Sequence, residues 1–197
     1  NGPVLATDGA GGWIIAWAST THIGPYGFPP QLYVAQSGDD AETWSLPIEI
    51  VLPDGFWLRG IGSLELAFGG SDNWILLWDI DVYLPDLDRG VIGMVFAESR
   101  NRGVNWTTPQ LAFPVPESDE TKRLAPDLLP DKGLDWFVAW LGVNELGGAT
   151  GDDEDILFAR ISIPEPAADC NRNATPDECE IAAGSAGADR GQVDRAL

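Results

Sequence analysis

The sequence predicts an all-β fold in which an antiparallel unit of four strands is repeated three times. Short apolar runs recur at a fixed spacing: "WIIAW" at 13–17, "WILLW" at 74–78 and "WFVAW" at 136–140 begin 61 and 62 residues apart. A second run follows in each unit, "LYVAQS", "MVFAES" and "LFARIS". The runs are five to seven residues long, rich in β-branched and aromatic residues and bounded by turn residues, which favours strands over a buried helix.

The first unit illustrates the four strands that each unit is expected to contain. They are predicted near residues 3–8, 12–18, 31–37 and 44–51. In a strand, residues i and i+4 share a face, so both tryptophans of each "WxxxW" run point the same way. The apolar residues between them make the other face buried as well. Four antiparallel strands repeated about every 60 residues predict β-propeller blades at about 1–58, 59–122 and 123–163, packed together by their tryptophans.

The third run of the first two units carries a recognisable motif. "SGDDAETW" at 37–44 resembles the Asp-box of bacterial neuraminidase repeats through Ser37, Asp39, Thr43 and Trp44, with Ala41 where that motif has glycine. "SRNRGVNW" at 99–106 is a weaker copy with Asn101 and Asn105 at the Asp and Thr positions, and the third unit has none. The serine and aspartate are expected to hydrogen-bond the turn backbone, and the tryptophan to anchor the turn. The resemblance implies a sialidase-like propeller over about residues 1–163.

Three blades leave the predicted ring incomplete, because only closure or radial repetition protects sheet edges. Further blades before Asn1, two chains that combine their blades as a homodimer with six blades, or an open ring would each account for this. The chain starts without methionine and inside an expected strand, so we expect a fragment of a longer protein.

The resemblance also implies what a sialidase site needs: three arginines for the substrate carboxylate, a tyrosine nucleophile with a glutamate, and an aspartate acid/base. The sequence offers Arg59 and Arg123, both expected just before the first strand of a blade, and Tyr26 and Tyr83 in loops at the same mouth. Pairing with loop acids and loop packing remain alternatives for these residues. With no arginine triad identifiable, no catalytic residue is assigned.

Charge and composition exclude several classes of binding partner and of site chemistry. The formal net charge of −20, from 31 acidic and 11 basic residues, disfavours nucleic acids and anionic lipid surfaces. No apolar run is long enough to cross a membrane. His22 is the only histidine, which disfavours a Ser-His catalytic site and a metal site built from histidines. The acidic stretch "DIDVYLPDLD" at 79–88 lacks the ligand spacing of a calcium loop, and a solvated loop is the simpler interpretation.

The C-terminal segment differs in composition and follows the linker "PEPAA" at 164–168. "DCNRNATPDECE" at 169–180 places oxygen-bearing residues at the alternating positions of an EF-hand calcium loop, although Ala174 replaces the usual glycine. The expected ligands are Asp169, Asn171, Asn173, Thr175, Asp177 and Glu180. Residues 169–197 therefore form the predicted calcium-binding tail, with an acidic tail that binds no ion as the alternative.

The tail also resembles thrombospondin type 3 and dockerin calcium repeats of secreted proteins. Cys170 and Cys179 lie out of phase with the ligands and are expected to close a disulfide, which favours an extracellular or periplasmic protein. The sequence thus predicts a secreted, sialidase-like propeller fragment that recognises a glycan or cell-surface polymer without catalysis. The alternative is a fragment of an exo-α-sialidase whose catalytic blades lie upstream.

Overall fold

A computed structural model of the chain describes residues 2–19, 30–53, 57–84, 89–113, 122–131, 135–143 and 154–163. All regular secondary structure in these ranges is β-strand, as the sequence predicts. The chain divides into two compact units, Asn1–Ser162 and Ile163–Leu197, and every described strand belongs to the first. In the described part, no helix is long and apolar enough to cross a membrane.

Sheet 1 is antiparallel, in the order β1 (Val4–Thr7), β2 (Trp13–Ser19), β3 (Gln31–Ser37) and β4 (Ile48–Ile50). The first three strands match the predicted ones within one or two residues. The fourth is shorter than predicted, because residues 38–47 form the turn that precedes it.

Sheet 2 has the same order and longer strands: β5 (Trp57–Gly70), β6 (Asn73–Leu84), β7 (Arg89–Ser99) and β8 (Gln110–Leu111). The pairing of β5 with β6 shifts register at three places, between Leu58 and Gly60, between Ile61 and Leu64, and between Phe68 and Gly70. Such irregularities bend and twist a strand locally.

Sheet 3 contains β9 (Lys122–Pro130), β10 (Asp135–Val143) and β11 (Glu154–Ser162), with β10 in the centre. A fourth strand was predicted, and the described residues contain three. Because β5 and β9 begin at Trp57 and Lys122, Arg59 and Arg123 lie inside these strands and not before them. The apolar periodicity that located the strands fades at their polar ends, so the sequence placed both boundaries late.

Sheets 1 and 2 share one hydrophobic core. Sheet 1 contributes Ala16, Leu32, Val34 and Ile50, and sheet 2 contributes a larger set that includes Trp78. The remaining members of the core from sheet 2 are Leu64, Leu76, Ile80, Val95 and Ala97. The tryptophans of β6 and β10 are almost fully buried, which confirms that they pack between sheets.

Sheets 2 and 3 are joined by aromatic packing. The ring of Trp136 lies against the backbone at Gly69, and Phe113 stacks on Trp140 with ring centroids 4.6 Å apart. The same relationship therefore occurs twice: the tryptophan-bearing face of one sheet covers the opposite face of the sheet before it.

The turn before β4 is held by Ser37 and Asp39. The hydroxyl of Ser37 donates to Asp39 Oδ1 at 2.7 Å and accepts from the backbone N–H of Ala41 at 3.1 Å. Asp39 Oδ1 also accepts from the N–H of Thr43 at 2.9 Å, and its Oδ2 accepts from the Thr43 hydroxyl at 2.6 Å. Both side chains bond the turn backbone, as expected from the sequence.

The turn before β8 repeats this pattern 62 residues later. Ser99 donates to Asn101 Oδ1 at 3.0 Å and accepts from the N–H of Gly103 at 2.9 Å. Asn101 Oδ1 accepts from the N–H of Asn105 at 2.9 Å. One amide oxygen thus makes the same bonds as Asp39 Oδ1, which explains why the weaker copy still forms the turn.

The two turn tryptophans differ. Trp106 packs against the shared core of sheets 1 and 2, and its Nε1 donates to the carbonyl of Gly103 at 3.0 Å. Trp44, at the equivalent position of sheet 1, is 40% exposed and so is less covered than Trp106. Trp106 is covered because a sheet lies before its own, whereas no described sheet lies on the corresponding side of sheet 1.

Candidate functional site

Each sheet has two distinct ends. The turns at 8–12 and 38–47 lie together at one end of sheet 1, where the N–H of Asp40 donates to the carbonyl of Gly11 at 3.0 Å. In sheet 2, the N–H of Arg102 donates to the carbonyl of Asp72 at 3.4 Å. We call this the turn end, and we call the opposite end, where β5 and β9 begin and β6 and β10 finish, the far end.

The far end brings together two residues that the sequence singled out in different motifs. Arg59 is the third residue of β5, between Leu58, which pairs with Val82, and Gly60, which pairs with Asp81. Tyr83 is near the end of β6 and pairs with Trp57. The register therefore places both residues at the far end of sheet 2, with Arg59 at a register shift two residues along β5 from the partner of Tyr83.

Arg123 occupies a similar place in sheet 3. It is the second residue of β9 and pairs with Gly142 near the end of β10. Both arginines are thus at the far ends of their own sheets, on the first strand of each. The sequence anticipated this common end from the repeat spacing, and a ligand-binding role for Arg59, Tyr83 and Arg123 remains a prediction.

The remaining predicted site residues lie outside the described residues. These are Tyr26, the calcium ligands Asp169, Asn171, Asn173, Thr175, Asp177 and Glu180, and the cysteines Cys170 and Cys179. In the part of the chain that the structure describes, no group of three or more histidine, cysteine or acidic side chains is placed to hold a metal ion.

Asp79 is a buried acid that the sequence reasoning treated as part of a solvated loop. That interpretation is wrong for this residue, because Asp79 lies within β6 and is 8% exposed. Burial raises the pKa of its carboxyl, and hydrogen bonds from the backbone and hydroxyl of Ser63 oppose the rise in pKa. Its Oδ1 is buried without a hydrogen-bond partner.

Asp79 was missed because its neighbours in the sequence read as an acidic run. The alternation of β6 would have found it, since Ile75, Leu77 and Asp79 share one face and the first two are fully buried. A second acid, Glu65 on β5, lies close to Asp127 of sheet 3. Partial burial raises the pKa of Glu65, and the negative charge of Asp127 adds to the rise.

A cavity of about 510 Å³ opens at the turn end between sheets 1 and 2. Its lining includes Asp8, Trp13, Trp44, Trp74, Asn101 and Arg102. Most of its polar groups already hold turns: Asp8 Oδ1 accepts from the N–H groups of Ala10 and Gly12. Arg102 Nε donates to Asp72 Oδ1 at 2.7 Å. Since these groups are engaged in local structure, the far end is the better candidate site.

Comparison with known proteins identifies the fold more closely than the activity. No protein-family model matches the chain, and no curated protein matches it. Among solved structures, the chain is similar to a polysaccharide lyase of family PL25, an ulvan lyase bound to -[GlcA(1-4)Rha3S]-. The TM-score is 0.55 at 12% identity, over 83% of this chain and 41% of the lyase.

Two further structures are similar over comparable lengths. A protein of unknown function from Dyadobacter fermentans gives a TM-score of 0.50 at 14% identity, over 80% of this chain and 46% of its own. The NanB sialidase from Streptococcus pneumoniae gives 0.47 at 12% identity, over 82% and 44%. The chain therefore spans less than half the length of these proteins.

The fold and the comparisons together define a class. In its described part the protein is all-β, built from three antiparallel sheets, and it is similar to the β-propeller-type folds of carbohydrate-active proteins. Fold similarity at this identity leaves the activity to be argued from the site.

Proposed function

We propose that this chain contributes three blades to an exported β-propeller that binds a carboxylate-bearing carbohydrate at its far end, without catalysing a reaction by itself. The observation that carries the proposal is the register of β5 and β6, which puts Arg59 and Tyr83 at the same end of sheet 2. Arg123 at the far end of sheet 3 adds a second cation.

The chemistry of these three residues suits an acidic sugar. A guanidinium group binds a carboxylate through two parallel hydrogen bonds, and a tyrosine offers both an apolar ring and a hydroxyl. The protein carries a net charge of −20, and Asp81 and Asp155 lie at the same end of the sheets as the two arginines, so an acidic ligand has to compete with these acids for the guanidinium groups. The ulvan lyase, whose structure holds a glucuronic acid-containing saccharide, is consistent with this ligand class.

The turns at 37–44 and 99–106 are, on this proposal, Asp-boxes of a sialidase-like propeller. Their support is the repeated hydrogen-bond pattern of Ser37 and Asp39 and of Ser99 and Asn101. These turns lie at the end opposite the proposed binding site and act in folding. The proposal is non-catalytic because the sequence offers two arginines in suitable positions where a sialidase needs three.

Binding is tested with the 197-residue chain and a panel of neutral and acidic oligosaccharides, including glucuronic acid-containing and sialylated ones, by isothermal titration calorimetry. We expect binding of an acidic member and at least a tenfold loss of affinity in Arg59→Ala and in Arg123→Ala. Arg102→Ala at the turn end is the matched control and should bind like the parent. Affinity that is unchanged in both far-end variants overturns the site, and turnover of a fluorogenic sialoside overturns the non-catalytic role.

The tail at 169–180 is proposed to bind calcium, with Cys170 and Cys179 joined in a disulfide that suits an exported protein. Calcium titration should release heat from the parent and much less from Asp169→Ala and Glu180→Ala. Equal heat from all three proteins contradicts the calcium loop. A thiol assay that finds two free cysteines in protein isolated from the cell envelope contradicts the disulfide.

A further inference from the structure

One face of sheet 3 carries four exposed apolar side chains in the described part of the chain, together with Arg160, whose guanidinium lies 4.9 Å from the centre of the Phe137 ring. The register of β9, β10 and β11 places Leu129, Phe137, Phe158 and Ile156 on the same face, opposite to Trp136 and Trp140. Phe158 is 78% exposed and Ile156 is 80% exposed, and Leu129 and Phe137 are exposed as well. A contiguous apolar patch of this kind marks an interaction surface. We call it the open face of sheet 3.

The repeat shows that this face is normally an interface. Val34, Phe96 and Phe158 are 62 residues apart and occupy the same position of the third strand in each unit. Val34 is 1% exposed and Phe96 is 9% exposed, against 78% for Phe158. The same contrast separates buried Ile14 and Ile75 from exposed Phe137 on the central strands. These residues occupy equivalent positions in their sheets, so their difference in exposure comes from whether another sheet covers that face.

The covering surface has the same character in both internal interfaces. The face of sheet 1 that contains Ala16 and Val34 packs against Trp78 and its neighbours on sheet 2. The opposite face of sheet 2 packs against Trp136 and Trp140 of sheet 3, at Gly69 and Phe113. The open face of sheet 3 is thus the complement of a sheet that presents a Trp-x-x-x-Trp strand.

In the part of the chain that the structure describes, sheet 1 carries such a strand and no other sheet covers it. Trp13 and Trp17 of β2 lie on the face of sheet 1 that points away from the shared core, with Trp17 stacked on Tyr33 at 5.8 Å. Both tryptophans are half-buried, whereas Trp74 and Trp78 at the equivalent positions are almost completely buried. The exposure of Trp44 on the same sheet has the same origin.

We propose that the open face of sheet 3 binds the Trp13/Trp17 face of a second copy of this chain, so that two copies form a ring of six sheets. The contact repeats the packing that occurs twice within the chain. It joins two different surfaces, and a head-to-tail contact of this type either closes into a ring or continues as a filament. The proposal does not depend on carbohydrate binding.

The test is the mass of the 197-residue protein by sedimentation equilibrium over a wide range of concentrations. We expect a species of about twice 21.2 kDa. Because Phe158 and Ile156 are exposed, Phe158→Lys and Ile156→Lys should fold normally, as circular dichroism would verify, and should weaken the dimer at least tenfold. Trp17→Ala should weaken it from the other side. Leu46→Lys is the control, since Leu46 is 86% exposed in a turn outside both faces.

Three results overturn the proposal. A parent protein that is monomeric at every concentration shows that a second copy does not cover these faces. A dimer that resists Phe158→Lys, Ile156→Lys and Trp17→Ala uses another surface. Species that keep growing beyond two copies with concentration show an open head-to-tail array in place of a closed ring.

Discussion

The indole ring of Trp136 occupies the space next to Gly69 that a side chain would need. A Cβ atom built on Gly69 would lie 2.8 Å from both Cη2 and Cζ2 of the tryptophan. Trp136 is 1% exposed, so the ring has little room to move away. The contact between sheets 2 and 3 therefore depends on the absence of a side chain at this one position.

Gly69→Ala is the first prediction. The added methyl group should force Trp136 out of its position and lower the free energy of unfolding by about 1–3 kcal/mol, the usual cost of overpacking a core. Urea unfolding measures this change, and the near-ultraviolet circular dichroism of the tryptophan should change with it. Gly38→Ala is the control, because a Cβ there would meet nothing within 4 Å. Equal stabilities for the two variants would contradict the packing.

The second prediction concerns the left-handed residues of the two β-turns. Ala41 has φ 65° at the position where the second turn has Gly103 with φ 80°. A residue with a side chain is destabilised by about 1–2 kcal/mol in this left-handed region, and glycine avoids this strain. Glycine also loses more backbone entropy on folding, which offsets part of the benefit. We expect Ala41→Gly to stabilise the fold by about 0.5–1 kcal/mol.

The reciprocal change, Gly103→Ala, should destabilise by about 2 kcal/mol or more, from the same backbone strain and from overpacking. Its Cβ would lie 2.5 Å from Cδ1 of the buried Ile14. Thermal and urea unfolding of both variants compare them directly. If the two substitutions shift stability in the same direction, the equivalence of the two turns is wrong.

The third prediction is that the carboxyl group of Asp39, in the turn before β4, makes the free energy of unfolding depend on pH. Hydrogen bonds from Thr43 and then from Ser37 lower the pKa of its carboxyl to about 2. A lowered folded-state pKa means that this stabilisation is present above the ordinary pKa near 4 and is lost as the pH falls through about 2. Asp39→Asn, which copies Asn101, should retain the turn and remove this acid-dependent part.

Urea unfolding of the parent and Asp39→Asn between pH 2 and pH 6 checks this prediction. The difference between the two proteins should shrink as the pH falls. Leu46→Gln, an uncharged change at an exposed residue of the same turn, serves as the control and should leave the pH dependence of the parent unchanged. A constant difference across the pH range would show that the carboxylate charge of Asp39 contributes nothing.

The parts of the molecule that the sequence predicted well are those governed by the strand period and the repeat. The central strands and their buried faces could be located from Trp74, Trp136 and their apolar neighbours. Both the alternation of apolar residues and the 62-residue spacing are visible in the sequence itself. The environment of Trp44 was not readable in this way. Its exposure depends on whether another sheet lies on that side, which the local sequence does not encode.

The candidate site was likewise predictable from the sequence only in part. The repeat spacing placed Arg59 and Arg123 at a common end, but the strand boundaries were late, since polar residues at strand ends interrupt the apolar pattern. Asp79 was taken as loop because three other acids follow it within ten residues. Its burial comes from the extension of β6 to Leu84 and from the cover that neighbouring strands provide, which are tertiary effects.

Asp79 provides the last prediction. Because burial raises the pKa of its carboxyl in the folded state, the contribution of Asp79 to stability is complete below the ordinary pKa near 4 and is lost as the pH rises through the folded-state value. At neutral pH the raised pKa of Asp79 therefore opposes folding. Asp79→Asn removes the charge and keeps an oxygen that accepts from Ser63, so it should stabilise the protein at pH 7 by on the order of 1 kcal/mol. The gain should shrink as the pH falls below the ordinary pKa near 4, where the acid is neutral in both the folded and the unfolded state. Urea unfolding at several pH values measures both proteins, and Asp79→Ala, which leaves Ser63 without its acceptor, should be less stable than Asp79→Asn throughout. Stabilisation by Asp79→Asn that is equal at about pH 3 and at pH 7 would show that charge burial is not the cause.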